Sequence, residues 1–284
     1  MNNRTGTRIA FIGGGNMARA LIGGLLRREI LPAQISVGEP DAASRATLEH
    51  TFGIRTAAGN PAAVDSSPVV VLAVKPQVVT DVLQSLRDAW STPPPVLLSI
   101  VAGLRIADLA SLCPSGMPIV RAMPNRPALL GAGVTALYAG PTVTEEHRPL
   151  VELVVGAAGR LLWLSAESQL DVVTALSGSG PAYFFLLAER LADAAAELGL
   201  EPATATLLAT ETLYGSGMLS RGSDSLAQQR AAVTSRGGTT QAALEFLAAG
   251  GFDGLIAGAL RAAAARSAEL ADSIGQSLRP GRNA

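Results

Sequence analysis

The chain has 284 residues, 48% hydrophobic and 16% charged content and a net charge of −1, enough for two domains with a sizeable core. That balance gives no basic field for nucleic acid, and no stretch approaches the roughly 18 uninterrupted apolar residues of a membrane span. The single cysteine, Cys113, excludes an internal disulfide, His50 and His147 stand too far from it for a metal site, and MNNRTGTR lacks a secretory apolar region, so a metal-free cytoplasmic protein is expected.

Ile9 to Ala18, IAFIGGGNMA, reads as a strand turning sharply into a helix. Gly13 can take the angles of a tight turn, Gly15 leaves room for a phosphate against main chain, and Ala18 keeps the helix close to the sheet. The first helix amides, from Asn16 and Met17, then face an anion. A second strand, 35 to 37, ends near Glu39, the kind of residue that accepts a bond from the ribose 2′-hydroxyl of NAD and repels the phosphate of NADP. Arg45, a few residues on, favours that phosphate instead. Asn60-Pro61 starts a turn whose amide either meets a cofactor or caps a short helix.

Lys75 is the only lysine beside 21 arginines. It follows the apolar strand 69 to 74 and precedes Pro76, at the strand end where ligands gather in open parallel sheets. Strands are expected at 8–13, 35–38, 53–57, 68–74, 95–101, 118–123, 133–138 and 160–164, with helices between, which is the pattern of a parallel sheet covered on both faces.

After residue 164 the strand signals stop. The expected organisation is α/β: a Rossmann-like dinucleotide-binding domain over 1–165 and an all-helical domain over 166–284. ALSGSGPAY at 175–183 permits close backbone contact, and Pro181 opens a helix. Phe184, Leu187, Ala188, Leu191, Ala195 and Leu198 then form an apolar stripe expected to be mostly core, opposite Glu189, Asp193 and Glu197. Helices are expected at about 202–219, 224–233, 239–250 and 253–273. Their Ala-rich, aromatic-poor faces bury little area singly and suit packing against another copy of the chain, so at least a homodimer is expected. VTSRGGTT at 233–240 precedes a helix: Gly237 and Gly238 free the backbone, Thr239 or Thr240 can cap, and the exposed amides suit a carboxylate.

IGGGNMA at 12–18, AVKPQ at 73–77, SIVAGL at 99–104, RAMPNRP at 121–127 followed by Gly131-x-Gly133-x-Thr135, ALSGSGPAY and GGTT at 237–240 occur in that order. The chain thereby resembles the pyrroline-5-carboxylate reductases, enzymes of the last step of proline synthesis. The resemblance implies that Ile12, Gly13, Gly14, Gly15, Asn16 and Met17, with Ala73, Val74, Lys75, Pro76, Val101, Ala102, Gly103 and Asn60, hold the nicotinamide dinucleotide, with Glu39 at its ribose. It implies that Ser235, Gly237, Gly238, Thr239 and Thr240 hold pyrroline-5-carboxylate, that Thr240 hydrogen-bonds or protonates the ring nitrogen, and that Glu167 lies near the substrate. NADPH is the expected donor, with NADH open.

The chain departs from the family pattern at Arg236, where proline is usual, and in 223–230, which lacks an expected proline. An imine substrate suits the helical part, which has no histidine or lysine to protonate an alkoxide and offers only Tyr183 and Tyr214 as alternative donors. Rival readings are a related imine reductase, a 3-hydroxyacid dehydrogenase, disfavoured because no lysine follows residue 75, and a non-catalytic nucleotide-binding protein.

Overall fold

The computed structural model describes residues 6–278, and among these the sheet has eight strands in the order β3-β2-β1-β4-β5-β6-β7-β8. They are β1 (Ile9–Ile12), β2 (Ile35–Gly38), β3 (Arg55–Ala57), β4 (Val69–Leu72), β5 (Val96–Ser99), β6 (Ile119–Met123), β7 (Gly133–Ala139) and β8 (Gly159–Trp163). Six fall within the expected runs, while β7 runs one residue past its expected end and β8 begins one residue before its expected start. The wholly parallel sheet expected from the alternation of strands and helices needs one correction: β7 runs antiparallel to β6, while every other pair is parallel. Only a short 3-10 segment, Arg126–Leu130, joins β6 to β7, and a link of that size turns the chain back instead of carrying a crossover helix.

The neighbouring strands β1 and β4 are apolar at every position because both faces are covered. Ile9 and Phe11 of β1 point into one core layer with Leu21, Ile22 and Leu25, while Ala10 and Ile12 point into the other with Val79, Leu83 and Leu109. Each fully buried large side chain of this kind contributes about 1.5–3 kcal/mol. The covering helices are α1 (Asn16–Arg27), α2 (Ala42–Phe52), α3 (Asn60–Val64), α4 (Val79–Ser85), α5 (Ile106–Leu112) and α6 (Arg148–Gly156). In α1, Ala18, Leu21, Ile22 and Leu25 recur at helical spacing and are all buried. The helix stops where Glu29 adopts a left-handed conformation, φ 67°.

Beyond β8 come α7 (Gln169–Val173), a π-helical turn at Thr174–Gly178, α8 (Gly180–Glu197), α9 (Pro202–Leu219), α10 (Leu226–Ala232), α11 (Thr239–Ala249) and α12 (Phe252–Ser277). The contacts divide the chain at a different place from the expected 165/166. One compact unit comprises the residues up to Gly178 together with those from Ala263 onward, and the other comprises Ser179–Ala262. α7 belongs with the sheet, and so does the C-terminal half of α12, through the Arg105–Asp272 ion pair at 2.6 Å and the Ser267 hydroxyl bonded to Asp171 at 2.7 Å.

The stripe expected as core on α8 is instead exposed: Phe184 is 60% and Leu191 58% accessible, and Leu198 at the helix end 90%. Periodicity showed that one face is apolar, but among the described residues no second layer covers the large side chains of that face. Among the described residues one helical run, 169–197, is long and apolar enough to cross a membrane. It carries Glu189, Arg190 and Asp193, with Arg190 bonded to both acids.

Candidate active site

Parallel pairing sets the carboxyl ends of four strands side by side. Ile12 is level with Gly38 and Leu72, and Leu72 with Ser99, so the segments that follow them share one edge. That edge gathers Gly13–Met17, Glu39, Ala73–Pro76 and Val101–Gly103. Gly13 has φ +96°, and a Cβ there would lie 2.6 Å from the Ala73 carbonyl oxygen. Its N–H donates to Gly38 O at 2.8 Å, and Ala73 N–H donates to Ile12 O at 2.8 Å. The turn is thereby fastened to the neighbouring strands on both sides.

Gly15 is different. Its backbone is extended, φ −69° and ψ −179°, and a Cβ there would meet nothing within 4 Å. The fold does not require glycine at that position, and the space above it is open. Asn16 and Met17 begin α1, where the amides have no acceptor inside the helix, so that space is lined by N–H groups at the positive end of a helix. Arg19 donates to Gly14 O at 2.8 Å and stiffens the turn, a role its surface-like position in the sequence did not signal.

At the end of β2, Glu39 Oε2 accepts the Gly14 N–H at 3.0 Å and Oε1 accepts the Asp41 N–H at 3.1 Å. Asp41 caps α2 by accepting the Ser44 N–H at 2.7 Å, and this bond holds its carboxyl below the ordinary range. Two acids therefore mark this corner. Arg45 stands against them, donating to the Glu39 and Pro40 carbonyls at 2.8 Å. The capping alternative for Asn60 is not realised: Gly59 is the N-cap of α3, and Asn60 lies against Gly38 with its amide 3.4 Å from Ser85 Oγ. Lys75 is exposed ahead of the 3-10 turn Pro76–Val78. Gly103 has φ +77° and packs under Ile274 of α12.

In the helical unit, Gly237 has φ +73° and its N–H donates to Gln241 Oε1 at 2.7 Å. The Gly238 N–H donates to Ser235 O at 3.1 Å, and a Cβ on Gly238 would collide with Ser235 Oγ. The expected threonine cap is corrected: Gly238 is the N-cap of α11, and Thr239 and Thr240 are its first two residues. Two of the loop amides are thus already engaged, and the amides of Thr239 and Thr240, which open the helix, are the ones presented outward. Arg236 is exposed.

Glu167 is bound elsewhere. Its Oε1 accepts the Ile106 N–H and Arg121 Nη1, each at 2.8 Å. Two further residues escaped the sequence reading although RAMPNRP contains both: Arg121, buried in β6, and Asn125, whose Oδ1 accepts the Val134 N–H at 3.0 Å. A motif shows that such residues matter, while the partner of each is set by which strand lies alongside.

A glycine turn opening onto a helix at the edge of a largely parallel sheet defines a Rossmann-type dinucleotide-dependent oxidoreductase, and residues 8–103 match a family model described as NADP oxidoreductase, coenzyme F420-dependent. Residues 167–270 match the model for pyrroline-5-carboxylate reductase dimerisation. The chain belongs to the pyrroline-5-carboxylate reductase family. It is 44% identical to the pyrroline-5-carboxylate reductase of Pseudomonas aeruginosa over 270 residues, covering 95% of this chain and 98% of that one. The solved pyrroline-5-carboxylate reductase of Coxiella burnetii superposes with a TM-score of 0.89 at 38% identity, covering 93% and 98% of the two chains. That of Plasmodium falciparum, solved with NADP bound, gives 0.79 at 27% identity, covering 94% and 98%.

Proposed function

We propose that the chain reduces 1-pyrroline-5-carboxylate to L-proline with NADPH, the last step of proline biosynthesis, and that NADH is an alternative donor. The observation that carries this reading is the pairing, in one chain of this family, of the open space above Gly15 with the outward amides of Thr239 and Thr240. Each is a place for an anion, the diphosphate in one case and the substrate carboxylate in the other.

The residues fit a dinucleotide. Space above Gly15 takes the diphosphate, Glu39 and Arg45 meet the adenosine ribose, Asn60 borders it, and Ala73–Pro76 with Val101–Gly103 border the nicotinamide half. When bound, the nicotinamide supplies the hydride. Ser235 shapes the loop that turns at Gly237 and Gly238, the Thr239 and Thr240 amides hold the carboxylate, and the Thr240 hydroxyl orients the ring nitrogen. A cyclic imine that arrives protonated needs no strong acid from the chain: hydride goes to its carbon and the C=N π pair goes to nitrogen, leaving a secondary amine. The protein's share is alignment. Glu167, engaged by Arg121 and Ile106, is left out of the substrate contacts.

In chain order, 1–165 carries the dinucleotide site and 166–284 the substrate and dimer surfaces, with α7 and the C-terminal half of α12 packed on the sheet in support of the first, and the chain works as a homodimer or larger homo-oligomer in the cytoplasm. The test is absorbance at 340 nm with each reduced dinucleotide and pyrroline-5-carboxylate. Oxidation dependent on the imine is expected, and its absence with both donors would leave a non-catalytic nucleotide-binding protein.

A further inference from the structure

Glu167 is asked to satisfy two donors with one oxygen. Arg121 lies in the middle of β6 with its side chain 11% exposed, and a guanidinium so placed needs an anionic partner. Ile106 opens α5, so its N–H has no acceptor within the helix, and it comes three residues after Gly103. On its other flank the same segment is held by α12, through Arg105 to Asp272 and through Ile274 over Gly103. A cleft of about 390 Å³ lined by Arg105, Arg121, Glu167, Ser168, Asp171 and Ala271 lies between these attachments.

The strand order says what this segment faces. β2, with Glu39, lies on one side of β1 and its phosphate turn, while β4 and β5 lie on the other. A dinucleotide with its adenosine ribose at β2 has its nicotinamide half over the segments that follow β4 and β5. We infer that Glu167 is a positioning residue: by holding the Ile106 N–H, it sets the height of Val101–Gly103 against the nicotinamide half, and Arg121 holds Glu167 in place. This role rests on the dinucleotide reading above. It acts through main chain, with no contact to substrate.

The test separates the two halves of the cofactor by titrating NADPH and 2′-phospho-ADP-ribose, which lacks the nicotinamide, into the full-length protein. Glu167→Leu with Arg121→Met removes the charge pair and the acceptor together. NADPH should then bind about tenfold more weakly, the scale of one lost hydrogen bond, and 2′-phospho-ADP-ribose should bind as before. Glu167→Gln with Arg121→Met keeps an acceptor for Ile106 and should restore NADPH to within about twofold of the parent. Equal weakening of both ligands, or of neither, overturns the role. If the leucine pair does not fold, the glutamine pair decides: a selective loss of NADPH there would mean that the charge matters and not the held amide. A parent protein that binds neither NADPH nor NADH sinks the proposed function and this role with it. Normal parent binding with unselective variants sinks the role alone.

Discussion

Gly13 and Gly15 stand two residues apart and are glycines for different reasons. Gly13 has a left-handed backbone pressed against Ala73, so Gly13→Ala strains the fold itself. Gly15→Val changes no packed contact, yet its side chain enters the space above the α1 amides. We expect Gly15→Val to lose NADPH binding by fluorescence titration while its thermal midpoint stays within a few degrees of the parent; binding unchanged would show that the space is not used. Glu39 is already bonded to Gly14 and Asp41, and it remains the charge that a 2′-phosphate must approach. Glu39→Ser should therefore raise the ratio of kcat/KM for NADPH over that for NADH, and a constant ratio would place the phosphate elsewhere. Thr240→Ala should lower kcat by about 10–100-fold, the scale of a group that orients reacting atoms, with dinucleotide affinity nearly intact; weakened NADPH binding would contradict the assigned role. At this scale the spacing of glycines was legible in the sequence. That Glu39 closes back onto Gly14 was not, because the bond exists only once β1 and β2 pair with Ile12 level with Gly38.

The strands could be read because each apolar run is short and bounded by turn residues. The direction of β7 could not, since an apolar run looks the same in either sense. Only the brevity of the link after β6 carried that information. The helices show the same limit. An N-terminal cap was expected from Thr239 or Thr240, but glycine took the position and Gln241 turned back to bond the loop. Glu201 caps α9 by accepting the Thr204 N–H at 2.8 Å, and the backbone amides of Ala203 and then Thr204 hold its carboxyl below the ordinary range; its support is present above the unfolded-state pKa and fades as pH falls through the lower folded one. Cys113, just after α5, is packed among apolar neighbours, and burial pushes its thiol up to about 12. It stays protonated at pH 8 and should react with a disulfide reagent far more slowly in the native protein than in urea, followed by absorbance of the released thiolate. Rapid native reaction would mean that α5 opens readily.

Composition and order of motifs made the two-part organisation legible, and the exposed face of α8 marks where that reading stopped. Periodicity reports that a face avoids water, but it does not report whose atoms cover it. With the dimerisation match over 167–270, a second copy is the expected cover. Leu191→Glu, at a position 58% exposed in the single chain, should convert the oligomer to monomer by light scattering, since a carboxylate buried in an apolar seam costs several kcal/mol; an unchanged mass would place the seam elsewhere. α12 leaves the helical unit and finishes against Gly103 and Asp108, with Gly275 so close that a Cβ would come within 3.0 Å of that carboxylate. The first unit is consequently closed over this segment by turns of α12 that follow the helical unit in the chain. Synthesis reaches those turns only after the whole helical unit, so Val101–Ile106 stays without its roof while Ser179–Ala262 is being made. A fragment cut at 165 would never acquire it.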